Sequence, residues 1–148
     1  MKRRSLLVVA MLTGLFGAGA RATDRATPDE AKAMAGKAAQ YLREVGPETA
    51  FAAFNAKDGP WHDRDLYVFV NDASCKTLAH GGNQALVGKL LATLKDVEGK
   101  PFMQEIAAVQ DAGWVEYKWQ NPVSKAIEAK ATYVVRVDQY SVGVGAYK

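Results

Sequence analysis

Between residues 28 and 45 the apolar positions recur at the spacing of a helix. Ala31, Met34, Ala35, Ala38, Tyr41, Leu42 and Val45 fall on one face of PDEAKAMAGKAAQYLREV, with the charged residues on the other. Thr27 and Glu30 form a T-x-x-E capping box, and Pro28 suits the first helical position. Gly46-Pro47 ends this helix. Pro47 then opens a shorter one carrying Phe51 and Phe54, which NAKDGP (55–60) closes.

From Leu66 the period shortens to that of strands. LYVFV (66–70) and KTLAH (76–80) are β-branched and aromatic runs, and NDASC (71–75) joins them as a hairpin. A polar crossover follows, holding QALVGKLLATLKD (84–96) and a helical KPFMQEIAAVQDAG (100–113). Three longer strands come next: GWVEYKW (113–119), AKATYVVRV (129–137) and YSVGVGAY (140–147). QNPVSKAIE links the first two, and Asp138-Gln139 is a two-residue hairpin between the last two. Helices followed by hairpin-connected strands predict an α+β fold with a five-stranded antiparallel sheet. The long N-terminal helix covers one face. The helical crossover covers the other, and a pocket between sheet and crossover is a natural consequence.

The first residues do not belong to this pattern. Lys2, Arg3 and Arg4 precede an uncharged run from Ser5 to Ala20, and small-x-small patterns stand at Ala18–Ala20 and Ala20–Ala22. Residues 1–22 therefore read as a secretory signal peptide, leaving 23–148 as one domain that is periplasmic or secreted. The rival reading is an uncleaved anchor, although the run is short for a spanning helix. Once the leader is cleaved, no stable membrane insertion is expected. The leader also changes the charge. Four of the 19 Lys and Arg residues (Lys2, Arg3, Arg4, Arg21) precede Thr23 and none of the 16 acidic residues does, so the formal net charge of +3 becomes −1. A nearly neutral domain lacks the footprint of a nucleic-acid binder.

Alternation decides which side chains can share a space. Tyr67 and Phe69 take one face of the first strand, opposite Leu66, Val68 and Val70. Val115, Tyr117 and Trp119 share a face, and Tyr133 and Val135 oppose Lys130, Thr132, Val134 and Arg136. One sheet can thus offer Tyr67, Phe69, Tyr117, Trp119 and Tyr133 to an apolar box suited to a small organic ligand. On residue type alone, the same rings are more commonly plain core.

His80 ends the second strand beside Gly81-Gly82, where it can face a ligand or cap a turn. No metal or other cofactor is expected, because His62 is the other histidine and Cys75 the lone cysteine. Cys75 and His80 lie five residues apart across a strand with no orienting third group, so a thiol enzyme is not expected. HGGNQALVGK lacks P-loop spacing, since Leu90 follows Lys89.

The ordered runs RDLYVFVNDASCKTLAHGGNQALVGKLLATLKDVEGKPF, GWVEYKWQNPVSKAIEAKATYVVRV and YSVGVGAYK resemble single Cache domains, from roughly Ala31 to Lys148. The resemblance implies an extracytoplasmic, PAS-like sensor that binds a small metabolite, often a short carboxylate, and is not an enzyme. Carried over by position, it implies a ligand site of Tyr67, Phe69, His80, Met103, Trp114, Tyr117, Trp119, Lys130 and Tyr133. Lys130 would supply the cation a carboxylate needs. The parities of Lys130 and Tyr133 disagree, so one of them faces outward or a bulge intervenes. Cys75 stands where the family has a turn glycine, so that turn changes type or accepts a strained residue. Gln84, Leu90 and Ser124-Lys125 also depart from the pattern. Such domains usually hang from a membrane helix joined to an output module; here the expectation is a domain without one. Its partners would be a small organic ligand and a separate membrane receptor or periplasmic protein. The alternative is an accessory or structural subunit of a periplasmic complex with a vestigial pocket.

Overall fold

The protein is described by a computed structural model covering residues 25–148. The expected leader, residues 1–22, lies outside the described residues. Helix α1 (Pro28–Val45) starts at the anticipated box: Thr27 Oγ1 accepts the Glu30 N–H at 3.2 Å, and the Glu30 carboxylate accepts the Thr27 N–H at 2.7 Å. Gly46, at φ +83°, turns the chain into α2 (Pro47–Asn55). Six strands follow: β1 (His62–Asp63), β2 (Leu66–Asn71), β3 (Thr77–His80), β4 (Ala112–Gln120), β5 (Ile127–Val137) and β6 (Tyr140–Tyr147). Between β3 and β4 lie a 3-10 turn (Gln84–Leu86) and α3 (Phe102–Ala108). The fold is the expected α+β, with one strand more than the five anticipated. The extra one, β1, is a two-residue pairing of His62 and Asp63 with Tyr67 and Leu66, too short to show as alternation.

The strands run in the order β1-β2-β6-β5-β4, all neighbours antiparallel, with β3 also on β2. Each face of the sheet carries its own core. On one, Leu66, Val68, Val70, Val142, Val144 and Ala146 meet Ala31, Ala35, Ala38, Ala39 and Leu42 of α1. The alanine stripe lets the helix backbone approach the sheet closely. On the other, Tyr67, Phe69, Val115, Tyr117 and Val134 meet Phe102, Met103 and Ile106 of α3.

Two local features shape this second face. In β6, glycine alternates with valine. A Cβ on Gly143 would collide with the Phe69 ring, and one on Gly145 with Lys130 Cε and Thr132 Oγ1. Those side chains therefore lie flat across the sheet, which only glycine permits. In β3, Phe69 pairs with His80 and Val70 with Ala79, but Asn71 pairs with Thr77. Leu78 is the extra residue of a bulge. The bulge brings Thr77 to the same face as His80, where strict alternation would separate them.

The crossover is held down by one carboxylate. Asp96 Oδ1 accepts the Glu98 and Lys100 N–H groups, and Oδ2 accepts the Lys118 N–H, each at 2.9 Å. Among the described residues, no helix is long and apolar enough to cross a membrane.

Candidate functional site

The face bearing α3 encloses a cavity of about 20 Å³, roughly the space of one water molecule. Tyr67, Phe69, His80, Met103, Tyr117, Trp119 and Lys130, all anticipated, line it. Asn71, Thr77, Leu86, Leu91, Leu94, Phe102 and Ile106 complete the lining. A wider hollow of about 290 Å³ adjoins it, sharing Tyr67, His80, Leu86 and Trp119 and adding Gly82, Asn83, Gln120, Pro122, Lys125 and Ile127. This is the mouth, framed by the 3-10 turn on one side and the β4–β5 connection on the other.

Trp114 and Tyr133 are corrections. They pair across β4 and β5 with rings 5.0 Å apart, on the sheet's opposite face. Lys32 of α1 stands over the Tyr133 ring at 5.2 Å, and Trp114 is 43% exposed. The register between β4, β5 and β6 is unbroken, so the parity conflict between Lys130 and Tyr133 resolves in favour of Lys130.

Lys130 is the centre of the site. Its side chain is fully buried and runs over Gly145. Nζ donates to Tyr67 Oη at 2.9 Å and stands 4.3 Å from the Tyr67 ring centroid and 5.1 Å from that of Tyr147. Both rings offer their negative faces to the cation. No carboxylate among the described residues forms an ion pair with it. Burial opposes the ammonium form, but the Tyr117 and Tyr67 phenols outweigh it and hold Lys130 above the usual lysine range. Burial pushes the Tyr117 phenol up in turn, and Tyr117 Oη shares a hydrogen bond with Thr132 Oγ1 at 2.9 Å. Tyr147 Oη donates to the Gln120 carbonyl at 2.7 Å and lies 3.4 Å from Tyr67 Oη.

His80 enters the cavity as a neutral ring. Its Nδ1 accepts the Asn83 N–H at 2.8 Å, which leaves the proton on Nε2. Burial, and secondarily Lys130, push its pKa down to about 3. The ring lies tilted 4.9 Å from that of Tyr67 and stacks 6.0 Å from that of Phe69, while Asn55 Oδ1 accepts its backbone N–H at 2.8 Å. The site thus presents one ammonium, one imidazole N–H and two phenols beneath apolar walls. That set can neutralise and hydrogen-bond a small anion.

Cys75 plays no part in such chemistry. It accepts φ +64° in the hairpin turn, the strained alternative to a glycine there. Its thiol is buried, donates to the Met103 carbonyl at 3.5 Å and is pushed up by burial. Among the described residues no group of three or more metal-ligating side chains assembles.

Comparison with known proteins places this geometry in context. The sequence model of the family described as Single Cache domain 2 matches residues 22–148. The methyl-accepting chemotaxis protein McpP of Pseudomonas putida is 31% identical over 91 residues, covering 58% of this chain and 17% of that protein. The sensor histidine kinase MctS of Rhizobium johnstonii is 31% identical over 90 residues, covering 58% of this chain and 20% of the kinase. The chain therefore matches only a small part of either relative. Among solved structures, a methyl-accepting chemotaxis protein from Vibrio parahaemolyticus superposes with TM-score 0.69 at 21% identity, over 80% of this chain and 86% of that one. A Cache chemosensory domain described for its carboxylic acid recognition superposes with TM-score 0.67 at 23% identity, over 80% of this chain and 91% of that one. These likenesses establish the fold.

Proposed function

The chain belongs to the single Cache domain 2 family, and on that premise we propose that it is an extracytoplasmic sensor domain that binds a small carboxylate against Lys130. The observation that carries this reading is a fully buried ammonium on a cavity wall with no carboxylate partner among the described residues. The ammonium is held by a hydrogen bond and aromatic faces and not by a counter-charge, and a bound anion would supply one. Nζ keeps donors beyond the one given to Tyr67. His80 Nε2–H adds an uncharged donor. The solved Cache domain with carboxylic acid recognition supports the same class. A chemotaxis protein and a sensor kinase among the relatives support a signalling role, with a separate membrane receptor or periplasmic protein reading the bound state.

The enclosed volume of about 20 Å³ favours a second reading, an accessory subunit whose pocket is vestigial. Against it, Leu91 and Leu94 of the ceiling belong to no helix or strand, so the cavity can widen without breaking one. The test is thermal unfolding of the purified protein with a panel of short carboxylates, amino acids and amines. A ligand at 100 times its dissociation constant adds about 2.7 kcal/mol, several degrees for a domain of this size. A shift confined to carboxylates supports the sensor reading. A shift with amines alone overturns it, and none with any of them leaves the accessory role.

A further inference from the structure

On the cavity face, one residue from each of four strands stands in a single cross-strand row: Thr77 on β3, Asn71 on β2, Ser141 on β6 and Arg136 on β5. Arg136 is committed elsewhere, donating to the Ala107 and Val109 carbonyls at the end of α3. The other three are polar, buried and nearly without partners. Thr77, Asn71 and Ser141 are 1%, 3% and 1% exposed. Thr77 Oγ1 and Ser141 Oγ are the two buried side-chain polar atoms that lack a hydrogen bond among the described residues. Their residues pair with Asn71 on its two sides. Asn71 Nδ2 itself reaches only Met103 Sδ, at 3.9 Å, a weak acceptor. Unmade hydrogen bonds of this kind destabilise a fold and are few in native proteins.

The row has a definite place in the site. Thr77 and Asn71 both line the cavity. Asn71 lies four residues along β2 from Tyr67, the partner of Lys130, or about 13 Å at the rise of a strand. Phe69 stands between them on the same face. The lining therefore runs from a cationic end at Lys130, past the apolar Phe69, to an uncharged hydrogen-bonding end at Asn71 and Thr77.

We propose that Thr77 and Asn71, backed by Ser141, form a second subsite that takes an uncharged polar group at the far end of the bound carboxylate, such as a hydroxyl, keto or amide group. The inference rests on the carboxylate reading of Lys130. It also excludes a class. With Arg136 tied to α3, the row holds no free cation, so a dicarboxylate would bury its second charge unpaired. A longer ligand needs Leu91 and Leu94 to move outward.

The experiment compares straight-chain monocarboxylates of increasing length, each with its ω-hydroxy counterpart and the matching dicarboxylate, by calorimetry and melting temperature. At some length the hydroxy acid should bind about tenfold tighter than its parent, the worth of one or two well-made hydrogen bonds. In Thr77→Val the ratio of hydroxy-acid to parent affinity should fall to about one. Free Thr77→Val should melt no lower than the original protein, because it loses an unmade hydrogen bond and not a made one. Thr77→Ser should retain the preference, and Asn71→Leu should reduce it by a route that does not depend on how well Thr77→Val folds. Parent acids that bind with no hydroxyl advantage at any length overturn the subsite alone. So does an advantage that survives in both Thr77→Val and Asn71→Leu, as a row serving only a buried water would give, or a dicarboxylate that binds tightest. If no acid of any series binds, the carboxylate reading falls and the subsite falls with it.

Discussion

Replacing Lys130 with methionine separates the folding role of the ammonium from its binding role. The methionine chain is close in length and shape, so it can run over Gly145 as lysine does. What changes is the charge. Burying an ammonium costs several kcal/mol. The fold recovers part of that through one charge-assisted hydrogen bond to Tyr67, about 1.5–3 kcal/mol. The Tyr67 and Tyr147 faces return about 0.5–2 kcal/mol each. These terms are of the same size and opposite sign, so Lys130→Met should stay within about 1.5 kcal/mol of the original stability in urea unfolding, a shift of a few degrees in melting temperature. Binding should respond differently. A carboxylate that loses a desolvated cationic partner forfeits about 2–5 kcal/mol, at least a 30-fold loss of affinity. Calorimetry with the tightest acid from the panel measures this directly. A variant that loses more than about 3 kcal/mol of stability yet binds the acid as before would make Lys130 a structural residue and refute the argument.

Other consequences can be checked with the same material. His80 is held down to about 3, so between there and its ordinary 6.5 the unfolded chain takes a proton that the folded one refuses. The stability it contributes is present above about pH 6.5 and is lost as pH falls toward 3, at up to about 1.4 kcal/mol per pH unit. His80→Asn, which keeps an acceptor for the Asn83 amide, should flatten that slope; an unchanged slope assigns the acid sensitivity to other groups. Gly145→Ala should cost about 1–3 kcal/mol by overpacking and weaken acid binding, since its Cβ falls on Lys130 and Thr132. Its control is Gly36→Ala on the exposed side of α1, where a Cβ meets nothing and about 0.5–1 kcal/mol should be gained. Tyr133→Phe should leave acid affinity unchanged within twofold, because the ring lies across the sheet from the cavity; a larger loss in calorimetry would reopen its place in the site.

The helices, the long strands and the first hairpin were legible because period and capping chemistry act locally. Strand parity also carried Tyr67, Phe69, Tyr117 and Trp119 to one face, and it already set Lys130 against Tyr133. Alternation offers Tyr133 to the same box and the resemblance names both residues, but alternation within one strand does not say which side faces the cavity; the unbroken register of β5 puts Lys130 there and Tyr133 opposite. Trp114 fails for the same reason: it shares its side of β4 with Glu116 and Lys118, opposite Tyr117. Thr77 was out of reach, because a bulge at Leu78 is a pairing event between two strands and leaves no mark in the period of either. Asn71 was read as the start of a turn, and only its pairing with both Thr77 and Ser141 makes it a wall of the cavity.

The two faces of the sheet divide the physical work unequally. The core under α1 is built of alanines on the helix and valines on the strands, and nothing in it needs a ligand. The other face holds an ammonium without a carboxylate and two hydroxyls without partners. The two hydroxyls cost stability in the free protein, and the ammonium roughly breaks even. The fold tolerates them because the α1 face stabilises the domain independently, and because Asp96 ties the crossover to β4 whatever the cavity contains. Substitutions that make the cavity face more apolar should therefore leave the domain as stable or more stable while they remove binding. Substitutions in the alanine stripe, such as Ala38→Leu, should do the reverse, unfolding the domain by overpacking before they alter which acid it prefers.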